Sequence, residues 1–291
     1  MPRLVRIVSY SMARFSTHTT TALNAAYAAA EIHRAWFGRL ARIEYKGRND
    51  PVTVADREAE AAIAGILREA FPEHALLGEE TGQQGEGPYT WLIDPLDGTY
   101  NYAHSIPWFA VSIALEHGGR PIVGVVLHTM FEEVYVAEAG RGAFAARLRD
   151  LPPEPPTWDA LSCWRPLRVT RTSRLDEATL GTGFPHDVSE TGINLDHFSN
   201  FIRAAARTRA MGSAALALVA VALGHTEGYW EIGPTAWDFA AGALIVEEAG
   251  GRVTDLRGRA LDTYGRQILA TNGLIHEQAQ TVLARGRSGL E

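Results

Sequence analysis

The stretch WLIDPLDGTYNY, residues 91–102, joins an apolar run to two closely spaced carboxylates. Residues 91–93 predict a buried strand, which ends at Asp94 and Asp97 with a proline between them. The proline fixes one backbone angle and Gly98 permits a tight turn, so a stiff corner follows the strand. Like charges this close repel each other, and the buried end of a strand then needs a compensating positive charge.

The repulsion at this corner predicts a bound cation. Two unit charges ~4 Å apart repel by about 4 kcal/mol at an effective dielectric constant of roughly 20. Such a pair either keeps a proton or binds a cation. The corner offers two carboxylates and the backbone carbonyl of Leu96, without histidine or cysteine. All-oxygen ligands of this kind select Mg²⁺, Mn²⁺ or Ca²⁺ over zinc.

The composition is that of an ordinary globular protein. The chain has 291 residues, of which 46% are hydrophobic and 21% are charged. Its formal net charge of -7 argues against nucleic acid or an anionic membrane as the main partner. No apolar run reaches the roughly 20 residues that cross a bilayer. A single cysteine, Cys163, excludes a disulfide framework and a thiolate metal site and favours a reducing, cytoplasmic location.

Hydrophobic periodicity predicts helices interleaved with strands. Helices are predicted over residues 21–37, 56–70, 195–207, 213–223, 236–248 and 274–285. Strands are predicted over residues 109–116, 122–128, 133–137, 142–145, 167–170, 179–184, 227–231, 252–255 and 267–270. Gly118 and Gly119 predict a hairpin between the first two of these strands. Mixed strands among helices indicate a layered α/β or α+β architecture with two sheets.

The chain is expected to form one domain behind a short irregular extension. Residues 1–19 are assigned to that extension and residues 20–291 to the domain. Within the domain, residues 20–165 form a lobe that carries DPLDGT, and residues 166–291 form a second lobe. The Pro-rich segment 147–166 is interpreted as a long surface insertion, which could change specificity if it folds near the mouth of the site.

Acidic residues recur at the ends of predicted elements. Asp56 opens a helix, Glu79 and Glu80 follow a short apolar run, and Asp238 lies in the first turn of another helix. Each has a simpler interpretation. Asp56 and Asp238 could only stabilise helix N-termini, and the glutamates could be a solvated pair.

Two long segments resemble the signature motifs of the inositol monophosphatase family, which are lithium-sensitive, Mg²⁺-dependent phosphomonoesterases. These segments are WLIDPLDGTYNYAHSIPWFAVSIAL and WDFAAGALIVEEAGG. Shorter matching segments follow in the family's order across residues 20–285. They are Lys46 with residues 50–56, then residues 78–80, 183–185 and 212–215, and Glu231, which lies seven residues before Asp238. The resemblance implies a layered αβαβα sandwich with two mixed sheets, like that of sugar phosphatases.

The resemblance also implies a set of metal ligands and a catalytic group. Glu79, Asp94 and the Leu96 carbonyl would hold a first Mg²⁺. Asp94, Asp97 and Asp238 would hold a second, with a looser third ion near Glu79; Mn²⁺ or Ca²⁺ could substitute. The catalytic residues implied are Glu79, Thr99 and Asp56: the first two orient and deprotonate a water, and the third hydrogen-bonds the threonine hydroxyl.

The resemblance places the substrate among residues from both lobes. The residues implied to contact it are Asp97, Gly98, Thr99, Gly212, Ser213, Ala214, Glu231 and Asp238. The carboxylate of Glu231 suits the vicinal hydroxyls of a polyol such as inositol, although it could also be an exposed charge at a strand end. Lys46 could approach the phosphate from a loop or be an exposed, solvated side chain.

Several functions remain open on this scaffold. The expected reaction is hydrolysis of a small phosphate monoester, inositol monophosphate, by a homodimeric enzyme. Relatives act on histidinol phosphate, fructose 1,6-bisphosphate and 3′-phosphoadenosine 5′-phosphate, and one residue does not discriminate among these esters. A regulatory or interaction protein that kept the scaffold is the non-enzymatic alternative.

Overall fold

The computed structural model describes residues 15–47, 50–151 and 163–286. In chain order the helices are α1 Thr17–Trp36, α2 Val54–Ala70, α3 Thr99–Ala103, α4 Val188–Thr191, α5 Leu195–Ala204, α6 Ala214–Ala222, α7 Ala236–Glu248 and α8 His276–Leu283. The strands are β1 Glu44–Gly47, β2 Asp50–Val52, β3 Ala75–Gly78, β4 Gly82–Gln84, β5 Tyr89–Asp97, β6 Ala110–His117, β7 Arg120–His128, β8 Glu133–Glu138, β9 Gly142–Arg147, β10 Arg165–Pro166, β11 Thr179–Thr182, β12 Arg207–Arg209, β13 Gly228–Ile232, β14 Arg252–Thr254 and β15 Gln267–Thr271.

A large sheet carries the corner that the sequence singled out. Its strand order is β10-β9-β8-β7-β6-β5-β3-β4. Strands β3 and β5 are parallel, and the other neighbours are antiparallel. The predicted hairpin is confirmed, because β6 and β7 pair around Gly118 and Gly119, which both have positive φ.

A smaller sheet has the strand order β12-β11-β13-β15-β14. Strand β11 is parallel to both neighbours, while β15 is antiparallel to β13 and β14. Both sheets are therefore mixed, as expected. A separate two-stranded hairpin, β1-β2, lies between α1 and α2 in the chain.

The helices form three layers around the two sheets. Helices α1 and α2 cover one face of the large sheet, α6 and α7 lie between the sheets, and α5 and α8 lie with the outer core of the small sheet. Helix α7 can pack this closely because Gly124 on β7 has no side chain: a Cβ there would lie 2.7 Å from the Ala241 carbonyl oxygen. The layered αβαβα sandwich is confirmed, and no helix among the described residues is long and apolar enough to cross a bilayer.

The structure moves some predicted boundaries. Helix α1 begins four residues before its predicted start, at Thr17, because the Ser16 side chain accepts a hydrogen bond from Thr19 N. The expected extension over residues 1–19 otherwise falls on residues 1–14, which lie outside the described residues. Strand β4, in a Gly- and Gln-rich stretch, is absent from the predicted strands and forms because its backbone pairs with β3.

One strand predicted in the second half of the chain is wrong, and one helix predicted there is too long. Residues 167–170 are not a strand, because their backbone crosses between layers: Leu167 N donates to Ala143 O and Val169 N to Ala249 O. The helix predicted over residues 195–207 ends at Ala204. The chain then turns to form strand β12 beside β11, so tertiary pairing overrides the helical preference of its alanines.

The described parts of the Pro-rich insertion stay with the large sheet. Residues 148–150 form a single 3₁₀ turn, and Arg165 and Pro166 pair with β9. Residues 152–162 lie outside the described residues, so the interpretation of this segment as a specificity element stays a prediction.

Candidate active site

The corner after β5 is built by a register irregularity and a left-handed glycine. Asp94 pairs with Ser112 of β6 and Asp97 with Ala110, so β5 has one residue more than its partner between these pairs. This β-bulge bends the strand where the carboxylates lie. Gly98 then has φ 97° as the N-cap of α3, and a Cβ there would lie 3.1 Å from the Gly212 carbonyl oxygen.

The Thr99 hydroxyl lies between two acceptors at the start of α3. Its Oγ1 is 2.9 Å from Asp56 Oδ1 and 2.9 Å from the Leu96 carbonyl oxygen. Asp56 is held in turn by Thr53, whose backbone N and Oγ1 donate to Oδ2 at 2.8 and 2.6 Å. Asp56 therefore completes the capping box of α2 and also holds Thr99, so both interpretations of this residue apply.

Asp97, at the end of β5, is held by the start of α6. Its carboxylate accepts hydrogen bonds from Ala214 N at 3.2 Å, from Ala215 N at 2.8 Å and from the hydroxyl of Ser213. These donors form the start of α6, where free N–H groups and the helix dipole favour a negative charge. Burial raises the pKa of Asp97 to about 6, although these hydrogen bonds oppose that rise.

Three further carboxylates lie within electrostatic reach of Asp97: Asp94 is buried, and Glu79 and Asp238 are half-buried. Burial raises the pKa of Asp94 well above its usual range, and the charges of Glu79, Asp97 and Asp238 raise it further. Burial also raises the pKa of Asp238 to about 7 and the pKa of Glu79. Asp94 accepts a hydrogen bond from Leu96 N at 3.0 Å, which fixes one of its oxygens. The structure thus brings together the four acids that the sequence proposed as ligands.

Asp238 also has a structural role. It lies in the first turn of α7, and its Oδ2 accepts a hydrogen bond from Thr235 N at 2.7 Å. Like Asp56, it accepts a hydrogen bond from the backbone N–H of the N-cap residue of its helix, while its carboxylate belongs to the acidic cluster. The simpler interpretation, stabilisation of a helix N-terminus, is therefore confirmed beside its position in the cluster.

Lys46 lies on the acidic cluster. Its ammonium nitrogen is 3.0 Å from Glu79 Oε1 and 2.6 Å from Glu80 Oε1. Lys46 is therefore not merely a solvated lysine, and the two glutamates are not merely a solvated pair. The ammonium group places a positive charge beside one member of the buried acidic cluster.

Sequence reasoning missed Glu60 and Asn101. Glu60 is buried on α2, one turn after Asp56, and accepts hydrogen bonds from Glu80 N at 2.8 Å and Thr81 N at 2.9 Å. It thereby shapes the turn that carries Glu79. The signal was available, because a carboxylate on the apolar face of an amphipathic helix needs a partner. Asn101, inside the quoted motif, donates to the Trp108 and Met211 carbonyl oxygens at 2.8 Å each.

A cavity of about 570 Å³ opens over the acidic cluster and is lined by residues from two parts of the chain, 51–101 and 182–238. The expected site residues in its wall are Glu79, Asp94, Leu96, Asp97, Gly98, Thr99, Gly212, Ser213, Ala214, Glu231 and Asp238. Asp56 lies behind Thr99 rather than in the wall. Burial raises the pKa of Glu231 to about 8, and the Tyr229 hydroxyl donates to its carboxylate.

The donor set fits a hard divalent cation. The cluster offers carboxylate oxygens and a backbone carbonyl, which are the ligands of Mg²⁺ and Ca²⁺. Burial and mutual repulsion raise the pKa values of the acids in the cluster. A bound cation would offset this repulsion and stabilise the charged carboxylates. Among the described residues, no three aspartate, glutamate, histidine or cysteine side chains are arranged so that they could together hold one metal ion. The fit of the cluster to a divalent cation therefore depends on its oxygen ligands and on the repulsion among its acids, and not on a coordination shell that is already formed.

A cluster of acidic side chains in the wall of one cavity, beside a hydroxyl held by two acceptors, is the arrangement expected of a metal-dependent phosphoryl-transfer enzyme. The chain belongs to the inositol monophosphatase family, whose sequence profile matches residues 15–288. Members of this family are phosphomonoesterases and are generally metal-dependent.

Relatives match nearly the whole chain. An inositol-1-monophosphatase from Synechocystis is 42% identical over 261 residues, which is 88% of this chain and 85% of the relative. A protein named Nus factor SuhB from Pseudomonas aeruginosa is 42% identical over 247 residues, 81% of this chain and 84% of the relative. The structure of an inositol monophosphatase from Anabaena superposes with a TM-score of 0.80 at 38% identity, covering 94% of this chain and 97% of that one.

Proposed function

We propose that this phosphatase hydrolyses inositol monophosphate to inositol and phosphate, with Mg²⁺ as its cofactor. One observation carries the choice of substrate: Glu231 lies in the wall of the cavity that also contains the acidic cluster. A carboxylate beside the leaving group accepts hydrogen bonds from neighbouring hydroxyls, so it suits a polyol ester. The names of the relatives support this assignment.

The cofactor would be held by the acidic cluster. Glu79, Asp94 and the Leu96 carbonyl would bind one Mg²⁺; Asp94, Asp97 and Asp238 would bind a second, and a third would lie near Glu79. When bound, these ions lower the pKa of water and neutralise the charge of the reacting phosphate. Mn²⁺ or Ca²⁺ could occupy the same oxygen ligands.

The protein's own groups hold the water and take its proton. When Thr99 donates its hydroxyl proton to Asp56, its oxygen lone pairs can accept a hydrogen bond from a water. Glu79 then accepts the second proton of that water as the oxygen attacks phosphorus. Burial raises the pKa of Glu79, which makes it a stronger base than an exposed glutamate. The attack is in line with the departing inositol oxygen, whose bond to phosphorus breaks as the new bond forms and which takes up a proton from solvent water. No covalent phosphoenzyme is needed.

The remaining wall residues would orient the ester. The backbone N–H groups of Gly98 and Thr99 would contact the phosphate, and Lys46 could approach it from β1. Residues 212–214 would contact the inositol ring beside Glu231, because their small side chains leave room for it.

Phosphate release with variant protein tests this proposal. Asp94→Asn removes one charge from the cluster with little change of shape, so we expect release from inositol 1-phosphate in Mg²⁺ to fall by at least about a thousandfold, a typical scale for lost electrostatic stabilisation. The conservative exposed change Glu86→Gln is the matched control and should leave the rate unchanged. Equal rates for wild type and Asp94→Asn would refute the proposed role.

A substrate panel at fixed Mg²⁺ tests the ester. We expect kcat/KM to be highest for inositol 1-phosphate among that compound, histidinol phosphate, fructose 1,6-bisphosphate and 3′-phosphoadenosine 5′-phosphate. A higher value for any of the others would reassign the substrate while keeping the reaction.

A second candidate function follows from the relatives that are named Nus factor SuhB. A regulatory role in a protein complex is compatible with the same scaffold. This role would replace catalysis if purified protein bound no Mg²⁺ by calorimetry and yet captured a partner. We also propose a cytoplasmic homodimer that does not require nucleic acid or membrane, and sedimentation of the purified protein tests the dimer.

A further inference from the structure

The carboxylate of Glu231 is held by a buried tyrosine on its own strand. Tyr229 and Glu231 are two residues apart on β13, so their side chains lie on the same face of the small sheet. The Tyr229 hydroxyl donates to Glu231 Oε2, and only 1% of Tyr229 is exposed. One carboxylate oxygen is therefore already engaged before any substrate enters the cavity.

Gly183, the residue after the neighbouring strand β11, lies against the other oxygen of the Glu231 carboxylate. Gly183 follows β11 directly, and a Cβ at this position would lie 2.0 Å from Glu231 Oε1 and 2.5 Å from its carboxyl carbon. The carboxylate thus occupies the space that any other residue at position 183 would fill. This close approach explains why the chain needs glycine here although its φ is not in the left-handed region.

The backbone of Gly183 is itself fixed by a buried amide. Asn194 Nδ2 donates to the Gly183 carbonyl oxygen at 2.7 Å, and Asn194 Oδ1 accepts a hydrogen bond from Trp230 Nε1 at 2.7 Å. Asn194 and Trp230 are fully buried. Because Trp230 lies between Tyr229 and Glu231 in the chain, this network ties Gly183 to the strand that carries the carboxylate.

We propose that Tyr229 and Gly183 are positioning residues that fix the Glu231 carboxylate in one orientation for the substrate's hydroxyl groups. This inference rests on the proposed function, because it concerns the same carboxylate and the same class of polyol ester. A carboxylate that is already ordered loses less conformational freedom when a ligand binds, so its contacts contribute more to affinity. Tyr229 and Gly183 therefore set the preference for polyol esters over esters without hydroxyl groups.

The test compares two esters across a set of variants. Steady-state kinetics in Mg²⁺ give kcat/KM for inositol 1-phosphate and for p-nitrophenyl phosphate, which has no hydroxyl beside its phosphate. The ratio of the two values measures recognition of the hydroxyl groups. The variants are Tyr229→Phe, Glu231→Gln and their combination. Tyr135→Phe is the matched control, since buried Tyr135 also donates to a glutamate two residues away on its strand, Glu133, at 2.7 Å.

The expected results separate the positioning role from a structural one. Tyr229→Phe should lower the ratio about tenfold, mainly through a higher KM for inositol 1-phosphate, as for the loss of one hydrogen bond that orders the Glu231 side chain. Tyr135→Phe should leave the ratio unchanged. In Glu231→Gln the ratio should also fall, and adding Tyr229→Phe should lower it little further, because both changes act through one carboxylate.

Two different failures can be distinguished. If the ratio falls in Glu231→Gln but not in Tyr229→Phe, the inference is overturned and the proposed function stands. If wild type shows no preference for inositol 1-phosphate, or Glu231→Gln leaves the ratio unchanged, the polyol assignment and the inference fall together. If Tyr229→Phe does not fold, Gly183→Ala tests the contact between Gly183 and Glu231. The new Cβ displaces the Glu231 carboxylate, so the ratio should again fall. An unchanged ratio overturns the inference.

Discussion

Neutralising Asp94 should stabilise the protein when no metal is present. Asp94 is buried with 2% of its surface exposed, and the charges of Glu79, Asp97 and Asp238 all raise its pKa. In Asp94→Asn the repulsion at this position disappears, whereas an amide oxygen remains to accept the hydrogen bond from Leu96 N. We therefore expect a protein that has lost catalysis and gained stability.

The magnitude follows from one relieved pair of like charges. Two charges ~5 Å apart repel by about 3 kcal/mol at an effective dielectric constant of roughly 20. Only one pair is counted: at pH 8 Asp97 and Asp238, with pKa values of about 6 and about 7, are mostly charged, but the raised pKa of Asp94 lowers its own mean charge and so its repulsion with these neighbours. Weakening the Leu96 hydrogen bond costs about 1 kcal/mol, which leaves a gain of about 2 kcal/mol.

Denaturant unfolding in a chelator at pH 8 measures this gain, with Glu86→Gln as the control for loss of an exposed charge. A gain of about 2 kcal/mol corresponds to a melting temperature higher by about 5 °C. Adding Mg²⁺ should then stabilise wild type more than Asp94→Asn and remove or reverse the difference. The reasoning is refuted if Asp94→Asn is less stable than wild type in chelator and both gain equally from Mg²⁺.

Three further changes have defined outcomes. Lys46→Gln should tighten Mg²⁺ binding about tenfold by calorimetry, because the ammonium group no longer competes at Glu79; weaker binding would contradict this. Burial lowers the pKa of His33 to about 3. The contribution of His33 to the free energy of unfolding is therefore complete above pH ~6.5 and falls as the pH drops toward the folded-state pKa. At pH ~5 it is smaller by about 2 kcal/mol. His33→Asn should remove that part of the slope in pH-dependent unfolding, and an unchanged slope would argue against it. Gly124→Ala should destabilise the protein by about 2 kcal/mol or more, since the new methyl group meets the backbone of Ala241; an unchanged unfolding midpoint would contradict the close packing of β7 on α7.

The features predictable from sequence are those encoded over short stretches. Helix α7 has the predicted bounds, Ala236–Glu248, because its apolar run, its acidic first turn and the glycines after it all lie together. The corner at Asp94 and Asp97 was likewise predictable, since a buried strand, a proline and a glycine adjoin there.

The remaining features depend on partners that are distant in the chain. The N–H groups that hold Asp97 come from residues 214 and 215, and nothing near Asp97 indicates which helix start will lie there. Strand β4 forms because β3 offers it backbone partners, although its own residues, Gly82–Gln84, have little strand preference. The close approach of Glu231 to Gly183, the residue after β11, is also a contact between distant parts of the chain, which hydrophobic periodicity does not predict.

The central claim is that divalent cations are bound among Glu79, Asp94, Asp97 and Asp238. Crystals grown in Mn²⁺ and measured at the manganese absorption edge test it most directly. We predict strong anomalous peaks among these carboxylates, with Lys46 drawn away from Glu79. A map without a peak there, with the four side chains turned away from one another, would contradict the account.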